Sequence, residues 1–232
     1  MNMVEAFSMF KRPHHLRIHS VLKSMNGELL ESTECYFAGG TAIVLALGEY
    51  RESVDIDFLC ESADGYRALR TIIFESGLAG IFNTPPNLLR EVRMDQYGIR
   101  AVLQVDGFPI KFEIVNEGRI KIDGGIDPAL GVPILARMDM YAEKLLANAD
   151  RYLDVGVASR DIIDLAMMID GWGAIPTQAW NKARDAYGDT IDKAFNGAIK
   201  KICERGYLVA CVKKMNMEEA FVDRVLNVFV AS

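Results

Sequence analysis

The period of apolar and polar positions changes partway along the chain: short alternating runs dominate the first half, and apolar residues recur at helical spacing beyond it. Over 54–59, Val54, Ile56 and Phe58 alternate with Asp55 and Asp57. This predicts a strand with two carboxylates on one face and its apolar residues in a core. Residues 64–78 carry Tyr66, Leu69, Ile72, Ile73 and Phe74 at helical spacing and close on Gly77. After a Pro85-Pro86 loop, segments near 89–95, 99–105 and 109–115, separated by Gly98 and Asp106-Gly107, predict antiparallel hairpin strands. Residues 4–25 read as one or two helical segments interrupted by Pro13, with Phe7, Met9, Leu16, Ile18, Val21 and Leu22 as core contacts. His14, His15 and His19 fall in this stretch. With no Cys or acidic ligand set beside them, they read as residues of a surface helix.

From Pro133, a residue suited to the start of a helix, Ile134, Leu135, Met138, Ala142, Leu145, Leu146, Ala149 and Leu153 repeat with helical period. Further helices are expected near 157–170, 176–187, 189–205 and 216–230. In the 189–205 segment Ile191, Phe195, Ile199 and Ile202 form the apolar stripe. The order helix, strand, helix, then strand meander predicts an α+β fold, a mixed sheet flanked by helices, followed by a carboxy-terminal helical domain. The expected division is residues 1–130 and 131–232.

With 232 residues, half of them apolar, the chain can bury a substantial core. Its net charge of −6 argues against binding nucleic acid through the global field. A local basic patch remains, with Lys193, Lys200, Lys201 and Arg205 among the cations that outnumber the acids over 182–214. Cys35, Cys60, Cys203 and Cys211 lack paired metal-site spacing and read as reduced thiols. Residues 1–12 lack the apolar stretch of a signal peptide, and no run approaches the length of a membrane span. A soluble, cytoplasmic protein is expected.

The chemistry concentrates in Phe37-Ala38-Gly39-Gly40-Thr41 and in Arg51-Glu52-Ser53-Val54-Asp55-Ile56-Asp57-Phe58. Two carboxylates about 5 Å apart repel by roughly 3 kcal/mol at an effective dielectric near 20. A divalent cation with oxygen ligands, Mg²⁺ or Mn²⁺, removes that cost and leaves coordination positions for phosphate. The paired glycines permit close backbone approach to a phosphate, and the apolar run 42–47 after Thr41 reads as a helix whose first amides favour an anion. Each half alone has an ordinary reading, a turn or an exposed strand face. Their combination is narrower.

It resembles the signature of the polymerase β-like nucleotidyltransferase superfamily: a Gly-Gly-Ser/Thr turn and helix, an Asp-x-Asp pair, and a third acid on a later strand, here Glu113 in Lys111-Phe112-Glu113-Ile114-Val115. Within it, the Tyr36 to Ala42 run, the Arg51 to Phe58 block, and Lys144-Leu145 followed by Arg160-Asp161 and Asp164-Leu165 resemble the AbiEii-type nucleotidyltransferase toxins. The resemblance implies transfer of a nucleoside monophosphate from an NTP to a hydroxyl acceptor. Asp55, Asp57 and Glu113 would hold metal, with Glu113 also helping to deprotonate the hydroxyl. Gly39, Gly40, Thr41, Arg51, Ser53 and Lys144 would bind nucleotide, and Asp161 or Asp164 would orient Lys144 or a substrate group. The catalytic set is thus Asp55, Asp57, Glu113, Lys144, Asp161 and Asp164. The toxin version would modify tRNA and have an antitoxin partner. A non-catalytic NTP-binding module and an antibiotic nucleotidyltransferase are the alternatives. Without the resemblance, Lys144 and the two Asp residues also fit a helix-packing salt bridge with Arg151 or Arg160.

Overall fold

The computed structural model describes residues 9–230; Phe7, expected as a core contact, lies outside the described residues. Pro13 opens α1 (Pro13–Lys23) instead of interrupting it, because its missing N–H is one that a first turn leaves unpaired in any case. A short α2 (Gly27–Ser32) follows, with the Asn26 side chain accepting from the Leu29 amide. Then come β1 (Cys35–Ala38), α3 (Gly39–Ala46), β2 (Ile56–Cys60) and α4 (Ala63–Ser76). Ser62 caps α4, and Gly77 ends it at a φ of 63°. Met9 and Leu16, expected as core contacts, are exposed, as is Phe74 of the α4 stripe, and Val54 projects outward just ahead of β2.

Four strands follow: β3 (Asn87–Leu88), β4 (Arg93–Met94), β5 (Gly98–Val105) and β6 (Phe108–Asn116). The expected single strand near 89–95 is therefore two short edge pieces. β5 and β6 form the expected hairpin, with Asp106 and Gly107 both at positive φ, as a two-residue turn between twisted strands requires. Beyond it lie β7 (Gly124–Asp127) and β8 (Val132–Leu135). Pro133 thus sits in a strand, and the helix expected from it begins four residues later as α5 (Arg137–Arg151). The remaining helices are α6 (Arg160–Trp172), α7 (Thr177–Tyr187), α8 (Thr190–Ile202), α9 (Arg205–Lys214) and α10 (Phe221–Val230). The sequence pattern does not mark α9 as a separate element.

The sheet has the order β3-β5-β6-β2-β1-β8-β7, with β4 also on β5. It is mixed: β2 runs parallel to β6 and β1 parallel to β8, while the other neighbours are antiparallel. Two registers place the site. Asp57 lies opposite Glu113, and Leu59 opposite Val115, so Asp57, Leu59, Glu113 and Val115 share one face. The other face carries Phe37, Phe58 and Phe112, all fully buried, with ring centroids 5.6 Å and 6.0 Å apart along the series. That face packs into the core and leaves the carboxylate face toward α3 and α5. No helix among the described residues is long and apolar enough to cross a membrane.

Candidate active site

A cavity of about 270 Å³ opens on the carboxylate face. Its floor is two strands: Asp55, Asp57 and Leu59 from β2 and the residues leading into it, and Lys111, Glu113 and Val115 from β6. Its opposite wall is one stripe of α5, Met140, Glu143, Lys144, Ala147 and Arg151, whose spacing of three or four residues puts them on one helical face.

Gly39 and Gly40 form the first turn of α3 and line the cavity. Their lack of a side chain serves packing inside the protein. A Cβ on Gly39, at a φ of 72°, would stand 2.8 Å from Asp57 Oδ2, and one on Gly40 would collide with the Arg51 guanidinium. Only glycine at both positions lets the Asp57 carboxylate and Arg51 close against the helix start.

The Thr41 hydroxyl is buried and donates to the Asp55 carbonyl at 2.6 Å, and its oxygen lies 2.8 Å from Ser53 Oγ. Thr41 therefore braces the segment that carries Asp55 and does not itself line the cavity. Ser53 does line it.

Arg51 is 5% exposed and closes a two-point contact on Asp164, Nε to Oδ1 at 2.7 Å and Nη2 to Oδ2 at 2.8 Å. Asp164 also accepts from the Tyr50 hydroxyl at 2.6 Å and forms an ion pair with Lys144 at 2.9 Å. Lys144 reaches Asp161 at 3.0 Å, and Arg151 holds Asp161 from the other side at 2.8 Å. Three cations thus surround two carboxylates, which leaves one positive charge, and the cations line the cavity while Asp161 and Asp164 stand behind them. Burial alone would raise the Asp164 carboxyl, but Arg51 and then Lys144 hold it well below the usual carboxylate range. The helix-packing salt bridge and the cleft lysine turn out to be the same residues.

On the strand side the balance is reversed. Burial, then the neighbouring Asp55 carboxylate, pushes the Asp57 carboxyl up to about 6, with Glu113 adding to the effect and Lys111 and Lys144 opposing it. Glu113 is neutralised by Arg100 and Lys111, each at 2.7 Å. The expected triad is consequently not drawn together: among the described residues no three His, Cys, Asp or Glu side chains stand close enough to surround one metal ion. The donor chemistry still fits a hard divalent cation, since Asp55, Asp57 and Glu113 all open on one cavity and burial with the neighbouring carboxylates disfavours the Asp57 charge in the absence of a cation.

Two features had no signal in the sequence. Glu143, next to Lys144, shares the Arg119 guanidinium with Glu117 at 2.8 Å and 2.6 Å. Burial and then the Glu117 carboxylate push Glu143 up to about 8, which favours its protonated form beside Glu117. The second is the burial of one α1 histidine. His15, expected on a surface, is fully buried against the loop that carries Arg51, Ser53 and Asp55.

Two of the four residues of the expected basic patch are engaged within the fold. Lys201 donates to the Tyr152 carbonyl at 2.7 Å, and Arg205 pairs with Asp223 at 2.6 Å, while Lys193 and Lys200 are exposed.

Comparison with known proteins agrees with this architecture. An antigenic nucleotidyltransferase-like protein from Paracoccidioides brasiliensis has a similar fold, with a TM-score of 0.50 and 17% identity over 91% of this chain and 97% of that one. JHP933 from Helicobacter pylori aligns at a TM-score of 0.38 and 14% identity, over 86% of this chain and 99% of that one. A search of curated proteins returns no match. Residues 21–219 match the family described as "Nucleotidyl transferase AbiEii toxin, Type IV TA system". The span includes both strand carboxylates, Lys144 and the Asp161/Asp164 pair, and the chain belongs to this family of nucleotidyl-transfer toxins.

Proposed function

We propose that the cleft transfers a nucleoside monophosphate from an NTP to a hydroxyl acceptor, with Mg²⁺ or Mn²⁺ held by Asp55 and Asp57 and completed by Glu113. One observation carries the reading: paired strand carboxylates face a buried, pre-positioned lysine across one cavity. Phosphoryl transfer is catalysed mainly by positioning and by neutralising charge, and this arrangement does both. The bound cation would supply charge neutralisation at the reacting phosphate. Lys144, with Arg151 and Arg160 on the same rim, would meet the triphosphate, and Gly39 and Gly40 offer amides at the start of α3. Asp161 and Asp164 would act on substrate only through Lys144, Arg51 and Arg151, fixing where their charges sit. Glu113, once released from Lys111, would accept the proton of the attacking hydroxyl.

The acceptor we favour is RNA, tRNA among its forms, in the cytoplasm, where NTPs are abundant. Its support is the cleft rim and not the α8 patch: Arg160 also borders an adjoining hollow with Lys214, a course suited to a phosphate backbone. An antitoxin partner follows from the family. The division at residue 130 is retained as a proposal, with the sheet-bearing part holding the carboxylates and the helical part holding Lys144. Calorimetry tests the site: NTP binding should depend on Mg²⁺ or Mn²⁺, and Asp55→Ala with Asp57→Ala should abolish that dependence. Unchanged metal-dependent affinity in the double variant would refute the assignment.

A further inference from the structure

All three histidines of α1 bind chain that is distant in sequence. His19 donates from Nε2 to the Ala129 carbonyl at 3.0 Å, and His14 donates from Nε2 to the Val54 carbonyl at 3.0 Å. His15 makes two contacts: Nδ1 lies 2.8 Å from Glu49 Oε1, and Nε2 lies 3.1 Å from the Ser53 backbone nitrogen.

The chemistry of these partners fixes the His15 tautomer. A backbone N–H can only donate, so Nε2 carries no proton, and Nδ1 carries the one given to Glu49. Glu49 is itself fixed, accepting from the Lys11 and Arg12 amides at 2.7 Å and 3.0 Å, with its own backbone at a φ of 61°. Burial, the largest influence, lowers the His15 pKa from its ordinary value even with Glu49 beside it, which favours the neutral ring.

The three residues gripped are consecutive. Ser53 N–H is held by His15, the Val54 carbonyl by His14, and the Asp55 carbonyl by Thr41. These contacts aim the Asp55 carboxylate and Ser53 into the cleft, while Arg51 anchors the same loop to Asp164. Of the two histidines, only His15 is fully buried, and it alone needs a bare nitrogen.

We propose that His15 is a positioning residue for nucleotidyl transfer, its neutral imidazole joining Glu49 to the Ser53 amide and so fixing the loop that presents Asp55 to the reacting phosphate. The proposal rests on the cleft function given above; the clamp itself does not. It is distinct from a packing role, because a phenyl ring fills the same space and cannot accept from Ser53. Misplacement of a reacting group by about 1 Å costs on the order of a hundredfold in rate, so a slackened loop should act on kcat.

The test compares the full-length wild type with His15→Phe and His15→Gln by steady-state kinetics and by NMR. His15→Phe should lower kcat at least about tenfold while leaving the NTP KM within about threefold. His15→Gln can accept from Ser53 through its side-chain carbonyl and should recover most of the rate. In wild type the ring ¹⁵N shifts should report an Nδ1–H tautomer for His15, and exchange of the Ser53 amide should be slow and become at least about tenfold faster in His15→Phe. Should His15→Phe not fold, His15→Asn, too short to reach Ser53, takes its place. A folded Phe or Asn variant with wild-type kcat, or a Ser53 amide that exchanges freely in wild type, overturns the proposal. Wild-type protein that transfers no nucleotide while keeping the Nδ1–H tautomer and the protected amide refutes the cleft function and leaves the clamp intact.

Discussion

Replacing Asp164 with asparagine removes one charge from the most heavily bonded carboxylate of the cleft and leaves its shape unchanged. Asp164 is fully buried, accepts three hydrogen bonds, at 2.6, 2.7 and 2.8 Å, from Tyr50 and from Arg51 twice, and forms an ion pair with Lys144 at 2.9 Å. The asparagine side chain would turn its NH₂ toward one of those donors and leave Arg51, itself 5% exposed, without a counter-charge. Breaking a buried pair in this way costs about 3–5 kcal/mol. For a chain of this size, about 2–4 °C per kcal/mol makes that a fall in melting temperature of about 6–20 °C. Replacing both partners, as Arg51→Met with Asp164→Leu, should cost less than either single change, because no uncompensated charge remains. The sign with pH is also set. The folded-state pKa of Asp164 lies below its unfolded value near 3.9, so its contribution is present above about pH 4 and is lost as pH falls further. Urea denaturation at pH 7 and near pH 3 should therefore show a large gap between wild type and Asp164→Asn that narrows in acid. A variant within about 1 kcal/mol of wild type at pH 7 would refute the reasoning.

Two further outcomes are expected. Glu113→Gln should fold and bind nucleotide but lose at least about a hundredfold in turnover, the scale of acid–base or metal-positioning help; wild-type turnover would reduce Glu113 to a partner of Arg100 and Lys111. Glu143, raised by burial and the Glu117 carboxylate to about 8, keeps in the folded state a proton that the unfolded chain releases near pH 4.3, so its contribution to stability is full below that pH and is lost as pH rises toward 8. Denaturation from pH 5 to 8 should show this decline in wild type and lose it in Glu143→Gln, and identical slopes would refute the raised pKa.

The parts of this fold that are legible in the sequence are those with local causes. The alternation around Asp55 and Asp57, the Asp106-Gly107 hairpin and the amphipathic stripes of α4 to α8 all follow from periodicity and turn chemistry within a few residues. β8 reads as helix in the sequence because a four-residue buried strand has no period of its own, and the apolar stripe of α5 extends backward across it. At the site, the strand carboxylates are legible, as is Lys144 with Asp161, Asp164 and Arg151, which lie on neighbouring helices, but the pairings across the fold are not. Arg51 finds Asp164 across 113 positions, His15 finds Ser53 across 38, and no local pattern encodes either pairing. The glycines stand out in the sequence as a phosphate turn, yet their missing side chains make room for Asp57 and Arg51 whatever else their amides do.

The measurement that bears most directly on the account is transfer from an NTP labelled in turn at its α- and γ-phosphates, in the presence of total RNA and of Mg²⁺ or Mn²⁺. Wild-type protein should move the α-label to an acceptor and release the γ-label with pyrophosphate, and Asp55→Asn or Asp57→Asn should reduce that transfer at least about a hundredfold. Transfer of the γ-label, or α-label transfer that persists undiminished in both Asn variants, would contradict it.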